Sequence, residues 1–188
     1  MAARSSPDAK HRIMEAALKS FNVDGIPGVS ADAIIERAGV AKMTFYKHFP
    51  TKEALAAAFV RERSDRWIAW LTERVKKLGR TPKQRVLAVF DVLEEWFSSD
   101  DYFGCPFHRA ASDYPDLKNP AHKEVIRNKR ELAALVQELL SAAGLDDDPL
   151  IVHQLLLLMA GAEVMTNIDG DPKHLRHARQ AAIKLFRK

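Results

Sequence analysis

The sequence predicts an all-α protein, and three observations support this fold class. No stretch alternates apolar and polar residues cleanly enough to suggest a sheet. Helix starts are legible, because proline follows a capping residue at five points where its missing N–H does no harm. Glycines fall where helices would stop, since glycine enters a left-handed turn without steric cost. Together these features predict nine helices in 188 residues.

The predicted helices follow in order, and no flexible linker separates the first three from the rest. Their ranges are 7–24, 31–37, 41–48, 52–77, 82–98, 105–112, 120–142, 149–167 and 172–186. The caps that precede proline are Ser6, Thr81, Asn119, Asp148 and Asp171, and Gln84 completes a capping-box pattern with Thr81. The glycine stops are Gly25, Gly79, Gly144 and Gly170.

The second and third helices are the most informative part of the chain. Ser30 is the predicted N-cap of the second helix, and Gly39 ends that helix before the third begins. Two short helices joined by a tight glycine turn are typical of a helix-turn-helix, whose second helix enters the major groove of DNA. An ordinary helical corner with a solvated charged side is the alternative interpretation.

The third helix has two predicted faces. Phe45 and Phe49, four residues apart, are expected to point inward together with Val40. The outward groups are cationic or carry hydroxyls, and such groups neutralise phosphate or bond to phosphates and base edges. They include Lys42, Thr44, Tyr46, Lys47 and His48.

The neighbouring segments favour the helix-turn-helix. Upstream, an amphipathic helix ends at Gly25, and downstream residues 51–55 open a new helix. With this context, about the first 60 residues resemble the DNA-binding domain of the TetR/AcrR family of transcriptional regulators. The matching residues are Ile13, Ala17, Phe21, Gly25, Val29, Ser30, Ile34, Ala38, Gly39, Val40, Thr44, Phe45, Tyr46, His48, Phe49, Lys52, Glu53 and Leu55.

The resemblance implies a set of DNA-contacting residues at the third helix and its edges. Ala41 and Met43 depart from the Ser-x-Gly pattern common in the family, which bears on the operator sequence rather than on the mode of binding. For Met43, contact with a thymine methyl group and packing against a neighbouring helix are alternatives. For Tyr46 they are phosphate contact and ring packing. The set is Ser30, Lys42, Met43, Thr44, Tyr46, Lys47, His48 and Lys52.

The resemblance also implies a DNA-binding domain at residues 1–50 and a ligand-binding and dimerisation domain at residues 51–188. In the family, the central helices enclose a pocket for a small-molecule effector, and ligand entry shifts the fourth helix and releases a repressor from its operator. Nothing in this sequence identifies the effector. The candidate pocket residues are aromatic, although core packing is the alternative for each. They are Trp67, Trp70, Phe90, Phe107 and Tyr114.

The last two helices are the predicted homodimer surface. Each has an apolar stripe at helical spacing, and burying both stripes is easier in a four-helix arrangement with a twofold mate. Members of the family usually dimerise in this way, which predicts an approximately palindromic double-stranded DNA operator. The stripes contain Leu155, Leu158, Met159, Ala162, Met165, Leu175, Ala178, Ala182, Ile183 and Phe186.

Composition and charge agree with a DNA-binding regulator. Of a net charge of +4, the first 52 residues hold eight Lys and Arg against five Asp and Glu. No secretory signal is visible, and the apolar stretch 155–164 is too short to cross a bilayer. The single Cys105 fits a reducing compartment. A cytoplasmic protein without a cofactor or a membrane partner is therefore expected.

Three groups of side chains suggest different chemistry, and each has a simpler interpretation. Cys105 is either a small apolar filler or an oxidant-sensitive thiol. Cys105 and His108 have the spacing of a nucleophile and base, but no third orienting residue is identifiable, so no enzyme is predicted. His174 and His177 are expected on a solvated helix face rather than at a metal site.

A helical sensor or interaction protein without sequence-specific DNA binding is the remaining alternative. It would bind a ligand or partner through the same body. The intact Lys42, Lys47 and Lys52 argue against it, because a surface that no longer binds DNA has no need of three lysines there.

Overall fold

The computed structural model describes residues 8–99 and 102–186, and over these two ranges the chain forms helices without a strand. The all-α prediction is confirmed, and the helix bounds agree with the predicted ones to within about two residues. The predicted cap at Ser6 and Pro7 lies outside the described residues. The helices are α1 Ala9–Asp24, α2 Ala31–Ala38, α3 Lys42–His48, α4 Lys52–Leu78, α5 Pro82–Phe97, α6 Pro106–Asp113, α7 Pro120–Ala143, α8 Ile151–Asp169 and α9 Lys173–Leu185.

Two predicted helix starts are confirmed by their hydrogen bonds. The Ser30 hydroxyl accepts a bond from the Ala33 N–H at 3.1 Å and caps α2. Thr81 and Gln84 form a reciprocal capping box at the start of α5, with each side chain accepting from the other's backbone. Both helices therefore begin where short-range sequence predicts.

Two other predicted helix starts are wrong, by two residues for α8 and by one residue for α9. Helix α8 begins at Ile151 and α9 at Lys173, although Pro149 and Pro172 were the expected first residues. The carboxylates of Asp148 and Asp171 instead each accept a backbone N–H two residues later, at 2.9 Å. Such Asx-type bonds close a turn before the helix, so that the aspartate lies outside it.

The chain divides into two compact units. The first contains Met1–Ser64 and Pro106–Arg127, and the second contains Asp65–Cys105 and Asn128–Lys188. The first unit therefore adds α6 and the beginning of α7 to the three N-terminal helices. The predicted domain boundary at residue 50 stays a prediction.

In the first unit, α1 packs against both α2 and α3. Ile13, Ile34 and Phe45 are at most 1% exposed. The rings of Phe21 and Phe59 meet edge to face with centroids 5.3 Å apart, which brings the start of α4 into the same core. This core fixes the α2–α3 pair on a support of buried side chains.

In the second unit, α9 packs against both α5 and α8. Phe90, Leu93, Leu155 and Leu175 are at most 2% exposed and belong to one continuous core. Full burial of side chains of this size contributes about 2 kcal/mol each. The unit therefore has enough apolar contact to hold three long helices together.

The prediction that the apolar stripes of α8 and α9 are available to a second copy is wrong for most of the stripe residues. Leu155, Met159 and Ala162 of α8 lie in the core of the second unit, as do the three most buried stripe residues of α9. Within the stripe predicted for α8, Met165 is exposed, by 46%. The buried α9 residues are Leu175, Ala178 and Ala182.

A different apolar face of α8 is exposed. Leu157 and Ile168 are 72% and 74% exposed, and Val164 is 45% exposed. They lie with Gly161 at spacings of four, three and four residues, which places them along one side of the helix. A Cβ atom at Gly161 would have no neighbour within 4 Å, so the space beside this face is open.

Helix α8 is also longer than the apolar stretch predicted from the sequence. Its 19 residues, Ile151–Asp169, have the length and apolar composition of a membrane span. However, 39% of the segment is buried inside the protein, where its side chains join the core of the second unit. One helix of this kind is typical of the core of a globular protein as well.

Candidate nucleic-acid interface

The outward face of α3 is formed as the sequence predicts. Phe45 and Phe49 are 0% and 4% exposed and face the core of the first unit. On the other side, Lys42, Met43 and Lys47 are exposed. Because the two phenylalanines are four residues apart, they hold one side of the helix inward and the opposite side toward solvent.

The turn between α2 and α3 is held by a glycine and an arginine. Gly39 adopts the left-handed conformation, with φ 60° and ψ 43°, and its N–H bonds back to the end of α2. The Arg12 guanidinium donates to the carbonyls of Ala38 and Gly39 at 3.2 and 3.0 Å. Arg12 thereby ties the turn to α1. No sequence pattern indicates this role, because the contact joins residues 26 and 27 positions apart.

Met43 is 85% exposed, which excludes packing against a neighbouring helix of this chain. Its thioether is free to meet an apolar group in a groove, such as a thymine methyl. Tyr46 shows the ring packing that was one of its two predicted roles, and its phosphate contact stays a prediction. Its ring lies edge-on to Phe45 with centroids 5.1 Å apart, and 40% of the residue is exposed.

The remaining predicted contacts lie at the edges of this surface. Thr44 and His48 are half-buried, and the exposed Ser30 caps α2. Lys52 is half-buried in the first turn of α4, and its ammonium donates to the Pro27 carbonyl at 3.4 Å. Lys52 is therefore partly occupied by the chain itself. Its role at DNA stays a prediction.

Lys42 has an acidic partner that no sequence pattern indicated. Its ammonium lies 3.1 Å from a carboxylate oxygen of Asp32, in the first turn of α2. The hydrogen bond and the charge of Asp32 raise the pKa of Lys42 above its usual value. Residues ten apart meet here because the glycine turn brings the starts of α2 and α3 together.

The five candidate ligand residues do not lie in one unit. Trp67, Trp70 and Phe90 belong to the second unit, whereas Phe107 and Tyr114 belong to the first. Phe90 and Phe107 are 2% and 3% exposed, as expected for core residues. The pocket role of the five residues stays a prediction, and the burial of these two rings fits the core-packing alternative.

Trp67 and Trp70 are part of a ring cluster in the second unit. Trp67 lies 5.4 Å from Trp70 and 4.4 Å from Trp96, measured between ring centroids. Tyr102 continues the cluster, at 5.1 Å from Trp96 and 4.3 Å from Phe97. Since the chain contains three tryptophans, all of them lie in this cluster.

A buried carboxyl group lies beside the same cluster. Glu163 of α8 is 7% exposed, and burial raises its pKa to about 7, although the positive charge of Lys129 acts in the opposite direction. Burial raises the pKa of Tyr102, and the Cys105 thiol and the Glu163 carboxyl add to that shift. Tyr102 donates a hydrogen bond to Asn167. The signal for Glu163 was present in the sequence, since it is the one charged residue between 155 and 168.

Three further side chains that stood out in the sequence have identifiable surroundings. Cys105 is 2% exposed, which favours the apolar-filler interpretation of this thiol. His177 is exposed, whereas the ring of His174 lies 2.7 Å from an Asp169 oxygen. The solvated-face expectation therefore holds for His177, whereas His174 is half-buried and paired with a carboxylate. The pair closes the α8–α9 connection, and its hydrogen bond lowers the pKa of Asp169.

Two family profiles match the chain over most of its length. The profile described as bacterial regulatory proteins, tetR family, matches residues 13–59. The profile described as tetracyclin repressor-like, C-terminal domain, matches residues 82–182. The chain belongs to the TetR family. This confirms the resemblance and the fold class, and it makes the protein a helix-turn-helix transcriptional regulator rather than an enzyme.

Relatives of this TetR-family chain include regulators from bacteria. The HTH-type transcriptional regulator YjdC of Escherichia coli (strain K12) is 26% identical over 149 residues, which cover 79% of this chain and 78% of that protein. A TetR-family transcriptional regulator from Streptomyces coelicolor has a TM-score of 0.83 at 27% identity, covering 99% of this chain and 92% of that one. The reduced form of E. coli NemR has a TM-score of 0.81 at 20% identity, with 95% and 98% covered, and shares the fold.

Proposed function

We propose that this TetR-family chain is a cytoplasmic homodimeric repressor that binds a palindromic operator through α3 and leaves it when a small molecule binds the C-terminal body. The observation that supports it most is the exposed surface of α3 over two buried phenylalanines. A helix that buries one side and presents lysines and a tyrosine on the other fits a major groove between two phosphate backbones.

The DNA-contacting side chains divide by chemistry. Lys42 and Lys47 supply charge for phosphates and bind without regard to sequence. Met43, Thr44 and Tyr46 supply an apolar contact and two hydroxyls for base edges and nearby phosphates. Lys47 lies in the last turn of α3, whereas Lys42 is its first residue, so the two cations lie at opposite ends of the reading helix.

The homodimer proposal uses the exposed side of α8. Leu157, Val164 and Ile168 form an apolar strip that the second unit leaves uncovered, and Gly161 interrupts it with a flat patch. A second copy related by a twofold axis would cover each strip with its counterpart. The resulting pair of α3 helices would read two half-sites about one helical turn apart or a multiple of it.

The effector proposal concerns the ring cluster of Trp67, Trp70, Trp96, Phe97 and Tyr102. Aromatic faces are suited to flat or apolar ligands, and all the tryptophan emission of the protein comes from this cluster. A compound that releases bound duplex should also change tryptophan emission over the same concentration range. Release by several compounds with unchanged emission would place the effector site elsewhere.

Selection of bound duplexes from a random pool tests the DNA-binding proposal. We expect enrichment of one motif with approximate twofold symmetry, because two identical reading helices would contact it. A strong motif without symmetry would argue against the dimer. Failure to enrich any sequence, with binding independent of salt concentration, would favour an interaction protein that does not read DNA.

A further inference from the structure

Asp32 and Lys42 form an ion pair on the surface predicted to face DNA. The Lys42 ammonium and the Asp32 carboxylate are 3.1 Å apart, and their side chains are 65% and 74% exposed. Both residues begin a helix, Asp32 in the first turn of α2 and Lys42 at the first position of α3. A negative charge therefore lies directly beside one of the two cations assigned to phosphate.

The fold does not need this pair. An ion pair this exposed contributes little to stability, because water screens both charges and two side chains lose freedom to form it. The α2–α3 turn is already held by the two Arg12 hydrogen bonds and by the left-handed Gly39. Buried Phe45 fixes α3 independently. The consequence of the pair must therefore be sought at the surface.

At the surface, Asp32 and a DNA phosphate compete for the same ammonium group. A phosphate oxygen that approaches Lys42 meets the Asp32 carboxylate, and two anions at contact distance repel each other. Binding then requires that Lys42 exchange one anion for another, so its contribution to counterion release is largely cancelled. Lys47 has no such neighbour among the ion pairs that the structure describes.

We propose that Asp32 is an affinity-setting residue, which competes with DNA phosphate for Lys42 and keeps sequence-independent binding to duplex weak. This inference rests on the proposed DNA-binding function of α3. Sequence-independent binding comes almost entirely from phosphate contacts, so it is the part of the affinity that an internal competitor reduces most directly. A regulator gains from this arrangement, because the genome offers a large excess of unrelated sites.

The test measures the affinity of the full-length protein for a 20-base-pair duplex of random sequence, which is about two helical turns long. Fluorescence anisotropy at several salt concentrations gives this affinity. Asp32→Asn should bind on the order of two- to fivefold more tightly than the wild type, which corresponds to the range for an exposed pair. The slope of log K against log salt should steepen by about one unit, because Lys42 then neutralises a phosphate without exchange. Asp32→Ser provides a second neutral variant if the amide perturbs α2.

Glu36→Gln is the matched control, since it removes the same charge from the same helix one turn further on. We expect it to tighten binding less than Asp32→Asn does. In a Lys42→Gln background, Asp32→Asn should have no more effect than Glu36→Gln. These two results together would attribute the effect to the Lys42 contact rather than to net charge.

Three outcomes separate this inference from the proposed function. Equal effects of Asp32→Asn and Glu36→Gln would overturn the inference and leave the function intact. Weaker binding by Asp32→Asn would also overturn it, because Asp32 would then position Lys42 for DNA. Salt-independent binding by the wild type itself would instead contradict the proposed function.

Discussion

Gly39 is the residue at which the geometry of the reading surface depends on one backbone conformation. Its φ of 60° is costly for a residue with a Cβ atom. A Cβ atom there would not clash, since its nearest neighbour would be an Arg12 nitrogen in ordinary van der Waals contact at 3.6 Å. The restriction is therefore conformational rather than steric. It was predictable from sequence alone, because a glycine between two short helical segments usually forms the turn that joins them.

Gly39→Ala should lower the free energy of unfolding by about 1 kcal/mol, because alanine resists the left-handed region. Urea unfolding followed by circular dichroism measures the change. Gly39→Asn is the matched control, since asparagine tolerates this conformation better than other residues with a Cβ atom. Equal losses for the two variants would contradict a backbone origin of the effect.

Glu163 should make stability depend on pH. Burial raises its pKa from 4.5 to about 7, so the folded protein holds a proton that the unfolded chain releases at lower pH. The stabilisation is complete below about pH 4.5 and is lost as pH rises through about 7. Relative to Glu163→Gln, the wild type should lose on the order of 3 kcal/mol across this range.

The measurement is a series of urea unfolding curves for wild type and Glu163→Gln between about pH 4.5 and 8, the interval between the two pKa values and slightly beyond. A difference between the two proteins that falls with pH and then levels off would agree with a buried carboxyl group. A constant difference would show that Glu163 is ionised throughout, with a partner that satisfies its charge.

At the scale of single helices, the sequence predicted where a helix begins better than which of its faces is buried. The capping box of Thr81 and Gln84 was readable because all of its partners lie within four residues. Asp148 and Asp171 also precede a proline, but their carboxylates close turns rather than cap helices. An aspartate before proline can do either. Short-range patterns therefore located these helices without fixing their first residue.

The exposed face of α8 shows why periodicity failed for this element. Apolar residues occur on every side of the helix between 155 and 168, so no stripe is distinguished by contrast with polar neighbours. The stripe that contains Leu155 and Met159 packs into the core, and the one that contains Leu157 and Ile168 is left exposed. Packing against α9 and the other helices of the second-unit core decides between them, and the periodicity of α8 does not contain this information.

Leu157→Asp should shift the protein from dimer to monomer, because it places a charge in the middle of the proposed α8 interface. Light scattering coupled to size-exclusion chromatography measures the mass. Leu117→Asp is the control, since Leu117 is 64% exposed but lies outside α8. A wild-type mass of one chain, or no difference between the two variants, would contradict dimerisation through this face.

At the scale of the whole molecule, the helix-turn-helix was predictable from the sequence, whereas the candidate ligand residues stay a prediction. The reading helix is a contiguous segment whose inward and outward residues follow from two phenylalanines four apart. The candidate ligand residues come from α4, α5, α6 and the segment after it, and aromatic type alone did not separate Trp67 from the buried Phe90. The two family profiles match in order along the chain, and they identify the C-terminal body, which aromatic composition alone did not.

The most direct test of the account is the salt dependence of duplex binding by a Lys42→Ala/Lys47→Ala variant. Removing the two cations of α3 should flatten the slope of log K against log salt by between about one and two units, because each phosphate that is no longer neutralised accounts for about 0.9. Lys42 should contribute less than Lys47, because Asp32 competes for its charge. Lys76→Ala/Lys77→Ala, which removes two exposed lysines of α4 in the second unit, should leave the slope unchanged. An unaltered slope in a folded Lys42→Ala/Lys47→Ala protein would contradict the assignment of α3 as the DNA-reading helix.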